Sequence, residues 1–464
     1  AADDDDPMSS SDADYILTGT DDYDQCGSDA DFVDDINGDG KPEILVGCKY
    51  ADSDGENSGT AYIVYSSTLL DEPDWLDEVF FLADDADVEL TGISPGNYCG
   101  MSVGNIGDFD GDGVGDFYIA CPYRTVHSHG SAGQVYVYSG SSIASGNCEA
   151  QRTLSVYYPN TNVRLGHDTV QSIDGPGDID GDGMDDLLVS LSHHPNDASI
   201  RNRGYVLLSG RLAAGSDIDL SSTYDHTFTG AGAAIIAGIG DVDVDGVTDF
   251  ALGDSCGVDV YLASGLSPLG EHGSSTVLRD YEITDPGEGC SSWSNPSTIS
   301  AGDVDGDGTS DFLISNSHVD RYMADAGAAY LFLGKNMESE DLWGADFHLF
   351  GSGSYDYFGI HDIVGSMSIA GDVDGDGRDD LVLGSFYSDS GGFGNNGEVH
   401  YINATALDSP GFVHDLEATR RRIESNRGST RAGQSVGFGG DINGDGYGET
   451  LIGAHLGGPS VEGA

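Results

Sequence analysis

Basic residues are scarce in this chain of 464 residues: 17 lysines and arginines stand against 81 aspartates and glutamates, a formal charge of −64. A surface of that sign repels polyanions, which excludes nucleic acid as a partner and favours a strongly solvated protein. Long apolar runs are missing too; none reaches the roughly 18–20 residues that a transmembrane helix needs, so no membrane span is expected. Helix-length periodic segments are few, which removes the helical fold classes. Neither a paired-histidine HExxH motif nor a GxxxxGK[ST] phosphate loop is present, and with 81 acids some carboxylate pair at glycosidase separation arises by chance alone. A single N-glycosylation sequon occurs, at Asn403.

What is abundant is one acidic loop of nine residues, repeated seven times: DINGDGKPE (35–43), DFDGDGVGD (108–116), DIDGDGMDD (178–186), DVDVDGVTD (241–249), DVDGDGTSD (303–311), DVDGDGRDD (372–380) and DINGDGYGE (441–449). Calcium takes six to eight oxygens at about 2.3–2.6 Å. Side-chain oxygens at positions one, three, five and nine converge on one point, and position seven supplies a main-chain carbonyl, as in an EF-hand loop. The expected ligands are Asp35, Asn37, Asp39, Lys41 and Glu43; Asp108, Asp110, Asp112, Val114 and Asp116; Asp178, Asp180, Asp182, Met184 and Asp186; Asp241, Asp243, Asp245, Val247 and Asp249; Asp303, Asp305, Asp307, Thr309 and Asp311; Asp372, Asp374, Asp376, Arg378 and Asp380; and Asp441, Asn443, Asp445, Tyr447 and Glu449. Up to seven Ca²⁺ ions are expected, which would leave the charge at about −50. Magnesium fits less well, because it resists dehydration and demands a stricter octahedron. Glycine at position six permits the positive φ of a sharp turn. The fourth copy is the weakest, with Val244 where the others have glycine, and reduced binding is expected there.

No EF-hand helices flank the loops. Each is followed by a short apolar run (EILVG, DFYIA, DLLVS, DFALG, DFLIS, DLVLG, ETLIG), the mark of a buried strand. A third strand follows in most units: TAYIVYS, QVYVYSG, YVLLSG, VDVYLASG, AAYLFLG and EVHYINA. A fourth run such as VELTG (88–92) or FHLFG (347–351) closes them. A loop period of 62 to 73 residues over the whole chain is a repeat architecture, and four strands per unit predict an all-β fold: a seven-bladed β-propeller of four-stranded antiparallel blades.

The order FG…GD-x-[DN]-G-D-G-x-x-[DE]-hydrophobic…G-x-x-Y resembles the FG-GAP repeat of integrin α-subunit propellers and of many bacterial surface proteins. Phe358 and Gly359 match the FG element, Cys26-Gly27 and Cys99-Gly100 are variants, and IACP (119–122) and IGAH (452–455) stand for the GAP element. The resemblance runs over about residues 15–455. It implies the fold, calcium loops on one face and partner-binding loops on the other.

Residues 1–14 form an acidic arm too polar to pack, similar to a mature end left by cleavage; 15–464 form one propeller domain. YILTG (15–19) sits where a fourth strand should be, with no blade before it, so it is expected to complete blade seven. That blade lacks a third strand: the spacing of the other units puts its start near residues 463–464. Either a continuation of the chain or another chain would supply it.

Cys26 and Cys48, and Cys99 and Cys121, share a spacing of 22 residues at equivalent places in two repeats, which predicts two disulfides and an oxidising compartment. Cys256 and Cys290 are a candidate third pair, leaving Cys148 free or paired with another chain. His127, His129, His193, His194, His318 and His455 fall in loops opposite the calcium face; a metal or catalytic role there is weighed against ordinary solvated residues. Arg420, Arg421, Arg422, Arg427 and Arg431 gather within twelve positions, either a solvated loop or a docking patch for an acidic surface, including a second copy. The expected function is an extracellular, secreted or cell-surface, non-catalytic adhesion or assembly module, whose partner is a protein, further copies of itself in a filament, or a glycan. The alternative is a carbohydrate-active enzyme or lectin using the face opposite the calcium loops.

Overall fold

Two successive strands joined by a tight acidic loop form the basic unit, and the sequence imposes it simply: alternating apolar residues before the loop, glycines within it and a continuous apolar run after it. The computed structural model describes residues 8–454 except 10–12, 20–22, 71–78, 168–170, 192–202, 213, 230–234, 255–256, 267–269, 274–279, 285–297, 317–326, 335–336, 338–339, 351–366, 370, 390–393, 408–413, 416–420, 425–429 and 439. Blade one shows the pattern. Cys26–Val33 pairs antiparallel with Glu43–Cys48, that strand with Thr60–Val64, and Thr60–Val64 with Val88–Thr91. The middle strands are buried along their whole length because each blade is covered on both faces by its neighbours.

Six such blades are complete. Their innermost strands are Cys26–Val33, Ser102–Gly107, Ile173–Asp174, Ile235–Gly240, Ile299–Gly302 and Met367–Ile369, and these pack one against the next around a central channel. Blades one to five each carry a fifth short strand, parallel to the fourth and contributed by the next stretch of chain: Gly146–Asn147 lies on Val88–Thr91, and Asp217–Asp219 on Leu154–Tyr157. The expectation of seven four-stranded blades is corrected to six. The seventh loop belongs to a two-stranded hairpin, Val436–Phe438 with Thr450–Ile452, because among the described residues no third strand joins it. The hairpin packs between the innermost strands of blades six and one. Ile16–Thr18 pairs parallel with Val79–Phe81, and Met8–Ser9, in the arm expected to be unstructured, pairs parallel with Arg421–Glu424.

Backbone contact between blades is close enough to require glycine. A Cβ on Gly47 would lie 2.1 Å from the Gly100 carbonyl oxygen of the next blade. In the channel, carboxylates stitch one innermost strand to the next. Asp29 Oδ2 accepts the Val103 N–H at 2.9 Å, Asp31 Oδ2 that of Asn105 at 3.1 Å, and Asp174 Oδ2 that of Gly238 at 2.7 Å. Innermost strands of adjacent blades share no ladder, so these side chains satisfy N–H groups that would otherwise be orphaned.

Candidate metal centres

The seven loops share one conformation. The carboxylate at position one accepts the N–H of the position-six glycine at 2.7–2.9 Å in every copy. The carboxylate at position five accepts the N–H of position seven at 3.0–3.1 Å. The position-six glycines have φ between 85° and 96°, and nothing lies within 4 Å of a Cβ placed on any of them. Conformation, not crowding, selects glycine there. Position two is always apolar; Ile36, Phe109, Ile179, Val242, Val304 and Ile442 are buried and anchor each loop to the core.

Position nine begins the second strand and ties the loop to the blade. One oxygen of Asp186, Asp249, Asp311, Asp380, Glu43 and Glu449 accepts the N–H of position two. Where position nine is aspartate, the other oxygen accepts the N–H of a residue just past the third strand: Gly140, Ser209, Ala263, Gly334 and Ala404 bond Asp116, Asp186, Asp249, Asp311 and Asp380. Where it is glutamate, the longer side chain turns to Asn37 or Asn443 at position three. Adjacent loops are linked as well. The N–H of position eight reaches the position-one carbonyl of the preceding loop, Asp185 to Asp108, Thr248 to Asp178 and Asp379 to Asp303.

The donor set fits a hard cation. Carboxylate oxygens of Asp35, Asp39 and Glu43; of Asp108, Asp110 and Asp116; of Asp178, Asp180 and Asp186; and of Asp241, Asp243 and Asp249 lie within 4.8 Å of one another. Asp108 Oδ1 is buried and lacks a hydrogen-bond partner, as an oxygen reserved for an ion would be. Burial pushes the Asp116, Asp186, Asp249 and Asp311 carboxyls up to about 7 and that of Glu43 to about 8, with neighbouring loop carboxylates adding to the effect. Positive charge placed among them would reverse that cost. The side chains of Val114, Met184 and Val247 cannot ligate, so position seven has only its main chain to offer. Val244, in the weak copy, takes φ 61° where the six other copies have glycine at 73–80°.

The Cys26–Cys48 and Cys99–Cys121 disulfides are formed; Cys256 and Cys290 lie outside the described residues. Cys148 is buried and free, with its thiol toward the Leu90 carbonyl oxygen, the first of the two alternatives expected for it. Of the histidines, His127 packs on the Tyr157 ring at 5.1 Å and His129 closes a turn with Val126; His193, His194, His318 and His455 lie outside the described residues, as do Phe358 and Gly359. In the arginine cluster, Arg422 pairs with Glu398 at 3.1 Å and Arg431 lies 5.0 Å from the centre of the Tyr387 ring; both are engaged within the chain, and Arg420 and Arg427 lie outside the described residues. The Asn403 amide nitrogen bonds Asp374, so a glycan there would compete with the sixth loop. Sequence reasoning passed over GDSCG (253–257), which has the spacing of a serine nucleophile elbow. The strands that flank Ser255 and Cys256, Asp249–Asp254 and Gly257–Tyr261, pair antiparallel, whereas such a nucleophile lies between a strand and a helix. The channel opens into a cleft of about 300 Å³ beside Gln171, Asp174, Pro176 and Ser300, in which Asp174 is the one lining carboxylate among the described residues.

Residues 295–332, which contain the fifth loop, match the FG-GAP repeat. Over 173 residues the chain is 29% identical to the phosphatidylinositol-glycan-specific phospholipase D of Rattus norvegicus, covering 37% of this chain and 19% of that protein. Over 249 residues it is 27% identical to integrin alpha-5 of Xenopus laevis, covering 50% of this chain and 20% of the integrin. The chain thus spans about a fifth of the length of these curated relatives. Loop geometry, blade topology and these matches together describe a β-propeller that carries an FG-GAP repeat and is similar, at low identity, to an integrin alpha subunit.

Proposed function

We propose that this chain is a calcium-stabilised extracellular β-propeller that serves as a non-catalytic adhesion or assembly module. The observation that carries the proposal is the convergence of carboxylate oxygens within 4.8 Å in the first four loops, in a fold where successive loops from the second to the seventh are hydrogen-bonded to one another. Calcium bound at position one, three, five and nine oxygens would neutralise charge that the blade edges otherwise bury unpaired. The two disulfides and the similarity to an integrin alpha subunit support an oxidising, extracellular setting and a protein partner. A propeller of this kind places rigid loops around a disc, which suits recognition.

The test is a bead assay. Beads coated with the protein are mixed with one another and with surfaces of extracellular matrix protein, in calcium and in chelator. Clustering or capture that chelator reverses supports the reading; indifference to both surfaces in both conditions contradicts it. A glycan-binding reading has one observation in its favour: Tyr50, Tyr98 and Tyr123, half-buried at the blade ends away from the loops, form a chain of ring contacts at 5.3 and 4.8 Å, and ring surfaces of this kind stack on sugars. Capture on a glycan surface with no capture on protein would favour it.

A further inference from the structure

Three sulfur atoms meet where blades one and two join. Cys99 precedes the innermost strand of blade two, Cys121 ends its second strand, and the two are bridged. Cys148 arrives from another part of the chain. Gly146–Asn147 is the short strand laid on Val88–Thr91 of blade one. Asn147 then caps the one-turn helix Cys148–Gln151, its side chain accepting the Ala150 N–H at 2.9 Å. The Cys148 thiol faces the Leu90 carbonyl oxygen at 3.7 Å, and its own carbonyl accepts the Tyr138 hydroxyl at 3.0 Å. On the outer side of the helix, Glu149 pairs with Arg124 at 2.9 Å and Arg152 with Asp217 at 3.0 Å. The Sγ atoms of Cys99, Cys121 and Cys148 lie within 4.8 Å of one another. All three residues are wholly buried, in an apolar cluster with Leu90, Ile119 and Tyr136.

A free thiol packed against a disulfide stores a nucleophile beside its electrophile, because disulfides exchange by thiolate attack on sulfur. Burial shuts thiols and oxidants of the medium out of this cluster, so the partner within reach of the Cys99–Cys121 bond is the chain's own Cys148. We propose that Cys148 is an internal exchange partner of that disulfide, giving blade two a second, populated bridge that runs from Cys148 to one of the two other cysteines.

The step balances within the chain. Cys148 gives up its proton and its thiolate attacks Sγ of Cys99 or Cys121. A new S–S bond forms as the old one breaks, the electron pair leaves on the displaced sulfur, and that sulfur takes up a proton. One disulfide and one thiol remain, and neither oxidant nor reductant is consumed. The two bridges hold different things together. Cys99–Cys121 fastens two strands of blade two to each other. A bridge from Cys148 fastens those strands to the helix that follows Gly146–Asn147, and through it to the edge of blade one. Burial pushes the Cys148 thiol up to about 12, so about one molecule in ten thousand carries the thiolate at pH 8, and exchange quickens about tenfold for each unit of pH. The inference stands independently of calcium binding and of adhesion.

The test is disulfide mapping of the whole folded protein, in calcium and without reductant. Samples are held at pH 7, 8 and 9, quenched in acid, digested with pepsin, and their bridged peptides counted by mass spectrometry. The proposal expects a Cys148 bridge to Cys99 or Cys121 that grows about tenfold faster per unit of pH, at a rate independent of protein concentration, while Cys26–Cys48 stays intact. Cys148→Ser should abolish the new bridge and leave Cys99–Cys121 in place. Cys99→Ser and Cys121→Ser, refolded in a glutathione buffer and checked for native circular dichroism, provide the second measurement: at least one should join its remaining cysteine to Cys148. A protein that keeps Cys99–Cys121 alone at every pH overturns the proposal, as do two folded variants in which neither remaining cysteine joins Cys148. Bridges from Cys148 spread evenly over Cys26 and Cys48 as well would also overturn it, since they report scrambling in the unfolded chain.

Discussion

Val244 offers a local test of how the loops are built. It is a β-branched residue at φ 61°, a region that costs an L-residue about 1–2 kcal/mol and suits β-branched side chains least. Its side chain is 64% exposed, so truncation sacrifices little packing. Val244→Gly should relieve that conformational cost but add roughly 0.5–1 kcal/mol of chain entropy in the unfolded loop, a net gain of about 1 kcal/mol. The readout is amide exchange at Asp245, Gly246 and Val247, whose N–H groups are held by Asp241 and Asp245 at 2.9–3.1 Å. After correction for the intrinsic rate, exchange should slow about fivefold. The reverse change, Gly38→Val in the first loop, meets open space around the new Cβ at φ 80°, so steric clash is not at issue and exchange there should quicken by a similar factor. Unchanged exchange in both variants would refute the claim that backbone conformation sets the cost of a side chain at Gly38 and Val244.

Gly47→Ala drives a methyl group to 2.1 Å from the Gly100 carbonyl oxygen, and a shift of rigid backbone costs about 3 kcal/mol; the melting temperature should fall and protease should cut first in blades one and two. Burial pushes the Asp31 carboxyl up to about 7 and that of Asp174 to about 6, against about 3.9 in the unfolded chain. A raised acid binds its proton more tightly when folded, so this stability is fully present below about pH 4 and is lost as pH rises through 6 to 7; denaturant titrations should show the loss, and Asp31→Asn should shrink it. Replacing both Cys99 and Cys121 by alanine should cost about 3 kcal/mol from the entropy of a loop of this length, measured in the same titrations. Cys148, fully buried and with its thiol pushed up to about 12 by that burial, should resist alkylation until the chain unfolds.

The loops and their strands were legible because each constraint is local: glycine where φ is positive, carboxylates where oxygens converge, apolar runs where both blade faces are covered. The disulfides were legible for the same reason, since Cys26 and Cys48 stand opposite one another in the first hairpin. YILTG was expected to complete a seventh blade; among the described residues Ile16–Thr18 pairs only with Val79–Phe81, a partner hidden in the sequence because two- and three-residue parallel strands leave no periodic trace. Blade number was overstated by counting loops, as a loop needs only two strands to form, whereas a blade needs four. The stitching of innermost strands by Asp29, Asp31 and Asp174 was hidden among 81 acids; only the ring geometry separates a channel carboxylate from a solvated one. The arginine cluster stood open in sequence between a solvated loop and a docking patch, because linear density does not reveal partners such as Glu398 and Tyr387 from elsewhere in the chain.

Calcium is the claim on which the proposed function rests, and its most direct measurement is thermal unfolding of the protein stripped of metal and then titrated with calcium, with bound calcium per chain counted in parallel. Ions held by the folded state alone stabilise it by mass action. Several calcium ions per chain, up to seven, and a melting temperature that climbs with calcium and collapses in chelator are the predicted result. A stripped protein that binds no calcium and melts at the same temperature with and without chelator would contradict it.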